Sequence, residues 1–361
     1  MMIFCTLFDS NYLDKGILLY RSLKDTCSEF KLYVLAMDDQ CKKVLEDYNY
    51  HDVHVIHLDG FIHSFHLGEV YKTRSRGEFC WTCTAFLVGY VLDYCKENIC
   101  TYIDADMYFY SDPQCLIDEM DNKTVQIVEH RFDSSINGKV AELDSGKYCV
   151  QFNTFKNTKD SIELLHWWQE CCFNSCTKMT GEDAIFGDQG YLEKWGELSN
   201  VSILKNLGGG VAPWNINQYK IQSNENGIVL REKRTGKDFR LVFYHFHLIK
   251  YLDNESVDIN VYEPWKADQR LVSVLYGDYL HRIQDVRIEL KKQYGIDFFS
   301  PQYSKKAITE QEDQRKKTAL ASRLKKMNMQ DWFRLYDRRI GQRKRKFFSY
   351  LNIFRFADND H

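Results

Sequence analysis

The first hundred residues repeat one pattern. A short apolar run is followed by an amphipathic stretch, and then by another apolar run. Residues 2–7, 31–37, 53–58 and 99–103 have the length and composition of strands. Between them, Ile17, Leu18, Tyr20 and Leu23 keep helical spacing over 16–24, and Val44, Leu45 and Tyr48 mark a second helix. Residues 79–94 read as a longer apolar helix. Strands joined through helices return in the same direction. The pattern therefore predicts an α/β protein with a mostly parallel, Rossmann-like sheet flanked by helices. With 361 residues, 23 Phe, 23 Tyr and 7 Trp, the chain can bury a core far larger than a disordered chain could offer.

Downstream, 125–128, 148–152 and 241–246 read as strands, 161–172 and 188–195 as helices, and 8–14 and 208–219 as loops. From about Tyr262 the helices become longer and more polar. The expected division is a core domain over 1–265, a helical extension over 266–312 and a tail over 313–361. No internal repeat is visible.

The formal net charge of −3 hides an asymmetry. Arg315 to Arg355 holds 14 Lys and Arg against Asp331 and Asp337, a net of +12, so the rest of the chain carries −3 − 12 = −15. In the tail, Arg343, Lys344, Arg345 and Lys346 run into Phe347, Phe348, Tyr350, Leu351, Ile353 and Phe354. Cations interleaved with aromatics suit an anionic membrane surface. Nucleic-acid arms share the charge but not so many aromatics, so no nucleic acid is expected as a partner. The opening residues do not read as a signal peptide, and no apolar run reaches 18 residues. Twelve Cys are expected as reduced thiols, including Cys80 and Cys83, whose C-x-x-C spacing falls inside an apolar helix.

The strongest chemical signal is Tyr102-Ile103-Asp104-Ala105-Asp106, an apolar strand running into two carboxylates one residue apart. In open α/β sheets, ligands gather at the carboxyl ends of strands. Mg²⁺ or Mn²⁺ takes hard oxygen ligands and can join carboxylates to substrate phosphates. His245 extends another apolar strand and is the preferred third metal ligand, with His247, at the same parity, as the alternative. Arg76, near the start of the long helix, is a candidate phosphate contact. Trp214, after Gly208-Gly209-Gly210, fits either a sugar-covering loop or a structural turn.

These segments resemble glycosyltransferases of the GT-A fold, nearest the bacterial family-eight-like nucleotide-diphospho-sugar transferases, over about residues 2–250. Five segments in the family's order carry the resemblance: Phe4-Cys5-Thr6-Leu7 with Asn11-Tyr12, Thr101 to Asp106, Gln151-Phe152-Asn153-Thr154, Gly187-Asp188-Gln189-Gly190 and His245-Phe246-His247 with Lys250. Two departures stand out. Phe155 replaces a family glycine, and Leu248-Ile249-Lys250 replaces the family's Gly and Lys-Pro-Trp. The resemblance implies that Thr6, Asn11, Tyr12, Arg76, Asp104, Asn153 and Lys250 bind the nucleotide-sugar, and that Asp104, Asp106 and His245 hold the metal. It implies that Asp188 and Gln189 lie beside the reacting carbon, with Glu182-Asp183 as the rival carboxylates.

The expected activity is transfer of a sugar from a nucleotide-diphosphate donor to a glycan or lipid-linked acceptor in surface polysaccharide synthesis. By the resemblance, the donor is uridine-linked and the anomeric configuration retained. The expected location is cytoplasmic, peripheral to the inner face of the membrane. A nucleotidyltransferase of similar fold, a protein-glycosylating effector and a non-catalytic membrane-surface scaffold are the alternatives.

Overall fold

The computed structural model describes residues 1–298 apart from 178–185, 252–256 and 264. The basic tail over 313–361 and the pair Glu182-Asp183 lie outside the described residues. The chain opens with β1 (Met2–Phe8), α1 (Leu13–Thr26), β2 (Phe30–Ala36), α2 (Asp39–Tyr48) and β3 (Val53–His57). Helices α3 (Leu58–Ser64), α4 (Gly68–Thr73) and α5 (Arg76–Gly89) follow, then β4 (Ile99–Ile103), β5 (Met107–Phe109), α6 (Gln114–Asp118) and β6 (Val125–Glu129). Next come α7 (Ile136–Ser145), β7 (Tyr148–Lys156), α8 (Lys159–Asn174) and β8 (Val201–Ile203).

Seven of these strands form one sheet in the order β3-β2-β1-β4-β7-β6-β8. Only β7 runs against the others. Alternation along the strands divides the core in two. Ile3, Cys5, Leu7 and Tyr102 pack with Phe79, Phe86 and Trp168 of α5 and α8, while Phe4, Phe8 and Val34 pack with Leu13, Ile17 and Val44 of α1 and α2. Burial on both faces explains why β1 and β2 are continuously apolar. The mostly parallel α/β sheet flanked by helices is the fold class that the sequence predicts.

Several boundaries differ from the sequence reading. Residues 8–14 are not one loop. β1 continues through Phe8, Asp9 caps a single 3₁₀ turn over Ser10–Tyr12, and α1 begins at Leu13. The segment over 188–195 is a run of 3₁₀ turns, Gln189–Glu197, rather than an α-helix. Twelve thiols are free, and Cys83 is buried inside α5.

A smaller antiparallel sheet follows, built from β9 (Tyr219–Ser223), β10 (Val229–Glu232) and β11 (Asp238–Arg240). Then β12 (Phe243–His245) pairs with β5, and β13 (Lys250–Tyr251) pairs with β14 (Val257–Asp258). Among the described residues no helix is long and apolar enough to cross a membrane.

The long α9 (Gln269–Tyr294) lies against α1 and buries Leu271, Leu275, Tyr276, Tyr279, Ile283, Val286 and Leu290. Its attachment includes an ion pair sealed from water. Arg287 Nε sits 2.7 Å from Asp14 Oδ2, with the two side chains 5% and 0% exposed. Glu289 adds contacts at 2.7 Å to Arg21 and to the Tyr48 hydroxyl. Removing one partner of such a pair strands a buried charge, at about 3–5 kcal/mol. Urea denaturation should therefore show Arg287→Met destabilised by that order, and the double variant Asp14→Leu/Arg287→Met destabilised by less than the sum of its singles. Wild-type midpoints in both single variants would mean that the pair does not hold α9 in place.

Candidate active site

The strand order reverses between β1 and β4, because β1 continues outward to β2 and β3 while β4 leads to the other half of the sheet. This switch point is where an open sheet leaves a crevice. At its mouth β4 ends, and Asp104 N–H donates to the Gln151 carbonyl at 3.3 Å. The chain turns tightly, with Met107 N–H reaching back to the Asp104 carbonyl, and enters β5. Antiparallel pairing then places His245 opposite Met107. Phe246 N–H donates to the Asp106 carbonyl at 2.8 Å. Backbone pairing thus delivers a histidine to the second carboxylate.

His245 Nε2 lies 2.9 Å from Asp106 Oδ1 and 3.7 Å from Asp104 Oδ2. The shorter approach lacks the alignment of a hydrogen bond, and Nε2 has no hydrogen-bond partner although it is buried. The other ring nitrogen, Nδ1, is 3.0 Å from Gln151 Oε1. With Nδ1–H donating to that amide oxygen, Nε2 is the ring atom turned toward the carboxylates. Metal-binding imidazoles are held in this way. One ligand atom each from Asp106, His245 and His247 fit within 4.8 Å of one another. The orphaned nitrogen and the mixed oxygen and nitrogen donors fit a divalent cation. The structure thus brings both candidate histidines to Asp106, while Asp104 stands at the rim with Tyr102 donating to it at 3.1 Å.

Electrostatics reflect this crowding. Burial, partly offset by His245 and reinforced by Asp106, pushes Asp104 up to about 6. Burial also acts against the charge on Asp106, but the imidazole of His245 outweighs it and holds that carboxyl below its usual range. Conversely, burial opposes a charge on His245, and Asp106 raises it above the ordinary histidine value. Burial followed by repulsion from His245 drives His247 down to about 4. His130, buried behind them, is pushed down to about 3.

Trp214 is the buttress of this group. Its indole N–H donates to the His130 carbonyl at 2.9 Å, and its ring meets those of His245 and His247 edge-on at 5.3 and 5.5 Å. Leu248, directly after the histidines, has φ 56° and is exposed. This left-handed conformation suits glycine, the residue found near this place in the GT-A enzymes that the sequence resembles. Here a leucine holds the turn with about 1–2 kcal/mol of strain.

Other residues singled out from the sequence lie at varied places. Asn153, on the face of β7 that also carries Gln151, is fully buried with neither side-chain polar atom bonded. Thr6 is likewise buried without a partner for its hydroxyl. Arg76 Nε lies 2.5 Å from Asp9 and Nη2 lies 2.7 Å from Asp38, so it bridges the ends of β1 and β2. Arg74, two residues earlier and not among the predicted contacts, donates to carbonyls of Cys172 and Phe173. Asn11 folds onto Asp9, and the Tyr12 ring carries the Lys15 ammonium 3.7 Å from its centroid. Gln189 Nε2 donates to the Ser145 carbonyl at 2.6 Å, at the end of α7. Lys250 stands in β13, beyond the Leu248 turn. Sequence reasoning missed Gln151, although its two-residue spacing from Asn153 puts the two on one strand face.

No family model matches the chain. Two proteins of Bacillus subtilis (strain 168) are similar in sequence, both described as uncharacterized. YfnF is 27% identical over 292 residues, covering 79% of this chain and 93% of its own. YfnD is 26% identical over 310 residues, covering 83% and 95%. Among solved structures, galactosyltransferase LgtC in complex with donor and acceptor sugar analogs aligns with TM-score 0.48 at 12% identity, covering 79% of this chain and 96% of its own. Apo mouse xyloside xylosyltransferase 1 aligns with TM-score 0.44 at 9% identity, covering 68% and 98%.

Asp188 is 5% exposed, and its carbonyl accepts the Trp168 indole N–H at 3.0 Å. Burial, with Asp104 adding repulsion, pushes its carboxyl up to about 7. The unfolded chain releases this proton near pH 4, whereas the folded protein keeps it until about pH 7. Native stability is therefore lost as pH rises between those values, and the full cost, on the order of 4 kcal/mol, applies above them. In chelator, Asp188→Asn should unfold later than wild type at pH 8, and the gap should narrow toward pH 4.5. A pH-independent gap in paired thermal melts would show that Asp188 is not held neutral by the fold.

Proposed function

We propose that this protein is a divalent-metal-dependent glycosyltransferase that moves a sugar from a nucleotide-diphosphate donor to a glycan or lipid-linked acceptor. The observation that carries the reading is the convergence of Asp106, His245 and His247, with Asp104 alongside, at the sheet's switch point. The ordered motif resemblance along residues 2–250 supports a UDP-sugar donor and retention at the anomeric carbon. The charge split between body and tail supports a site of action at the inner face of the membrane, in surface polysaccharide synthesis.

In this reading Asp106, His245 and His247 hold Mn²⁺ or Mg²⁺, with Asp104 completing the set from the rim. Bound there, the ion would neutralise the diphosphate and ease its departure. The chain's own groups do the rest. Gln151, at 3.0 Å from Nδ1, keeps Nε2 of His245 turned toward the carboxylates. The unbonded amide of Asn153 offers a donor and an acceptor to a polar ligand at the same strand end. Asp188, poised near neutrality, can stand beside a sugar as either a neutral donor or an anion. Gln189, anchored on Ser145, holds that turn against α7. Arg76 keeps the β1 and β2 ends together next to the nucleotide-binding turn over 9–12.

Incubation with a panel of UDP-, GDP-, CDP- and ADP-sugars and Mn²⁺ tests the reading, with nucleoside diphosphate release measured. Wild type should hydrolyse or transfer one donor, and excess chelator should abolish it. Asp104→Asn and Asp106→Asn should each lower turnover roughly a hundredfold or more while melting as folded proteins. Full turnover in both variants, or in chelator, would remove the metal from the mechanism. Release of pyrophosphate from a nucleoside triphosphate would move the chain to the nucleotidyltransferases.

A further inference from the structure

Lys15 is only 5% exposed, in the first turn of α1. Its ammonium rests over the Tyr12 ring, 3.7 Å from the centroid. Among the described residues it makes no ion pair within 4.0 Å. The neighbouring Asp14 cannot serve. One oxygen accepts the Lys15 backbone N–H at 2.8 Å, and the other accepts Arg287 Nε. A buried ammonium without an anion is unfavourable. The face of a tyrosine compensates only in part.

The position of Lys15 follows from the packing of α1 on β5. Phe109 N–H donates to Ser22 Oγ at 3.1 Å, and Leu18 and Tyr108 share one apolar cluster. Lys15 stands seven residues before Ser22, two turns and about 10 Å back along the same helix face. Asp106 stands three residues before Phe109, again about 10 Å back along its segment. Both displacements run toward the switch-point end of the sheet.

A buried cation in the first turn of α1, at the switch-point end of the sheet and without an anion of its own, calls for an anion arriving from solution. In a nucleotide-sugar, the negative charge lies on the diphosphate. We propose that Lys15 is a protein counter-charge for the diphosphate of a bound nucleoside diphosphate. This inference rests on the nucleotide-sugar reading of the site. It assigns to the first turn of α1 a phosphate contact that the sequence motifs do not indicate, separate from Arg76 and Lys250.

Calorimetric titration of UDP, uridine and Mn²⁺ into wild type, Lys15→Met and Lys15→Gln tests it. Both neutral variants should lose roughly tenfold or more in UDP affinity with Mn²⁺ present, and bind uridine as wild type does. Mn²⁺ alone should bind them as tightly as wild type or more so, because a repelling cation is gone. This split separates a diphosphate contact from a merely structural lysine. Unchanged UDP affinity, or an equal loss for UDP and uridine, would overturn the proposal. So would loss of the folded state in both neutral variants while Lys15→Arg stays folded, since the charge would then belong to the fold. A wild type that binds no nucleoside diphosphate, whatever its base, would overturn the donor reading itself and this proposal with it.

Discussion

Three rungs of backbone pairing, Met107 with His245, Tyr108 with Tyr244 and Phe109 with Phe243, join segments far apart in the chain. Everything at the candidate site depends on that short ladder. It continues the turn after β4, so Asp104 and Asp106 are presented at a fixed distance from the sheet. It also carries β12, the strand that brings His245 to them. Its outer surfaces are buried: Phe243 meets Phe109 edge-on and stacks with Phe152, and Tyr244 bonds Tyr276 of α9 at 2.9 Å. A three-residue ladder alone would be marginal in water. Packing between the sheet and α9 makes it rigid enough to hold ligands.

The same packing sets an electrostatic problem. Asp104, Asp106 and Asp188 lie close enough to act on one another's charge. Their carboxyls respond in different ways, Asp104 and Asp188 taking up protons more readily and Asp106 less. Where a buried charge is matched by a partner, as Asp14 is by Arg287, the fold is tied together. Where a buried polar atom is left without a hydrogen-bond partner, it marks a place prepared for something that arrives. Asn153, with both polar atoms unbonded, and His245 Nε2 belong to this second kind.

Much of this was legible in the sequence, for identifiable reasons. Apolar runs separated by helical spacing fix a parallel sheet, and an apolar run ending in Asp104 and Asp106 marks a strand end at its carboxyl edge. The sequence favoured His245 as the extension of an apolar strand but could not set His247 aside, because both have the same parity; the fold brings both to Asp106. Gln151 was within reach of a parity argument from Asn153. The roles of Asp14 and Arg287 were not, because a pair 273 residues apart leaves no local pattern. The turn at 8–14 was misread because Asp9 and Asn11 look like loop residues, whereas the Asp9 side chain caps a 3₁₀ turn that leads directly into α1.

The central claim is that this ladder builds a cation site. Anomalous diffraction from crystals grown with Mn²⁺ tests it most directly. The account predicts one strong peak at bonding distance from Asp106 and from a ring nitrogen of His245, about 2.1 Å for the nitrogen, with Gln151 still bonded to the other nitrogen. A peak bound elsewhere, or none at saturating Mn²⁺ with His245 directly hydrogen-bonded to Asp106, would contradict it.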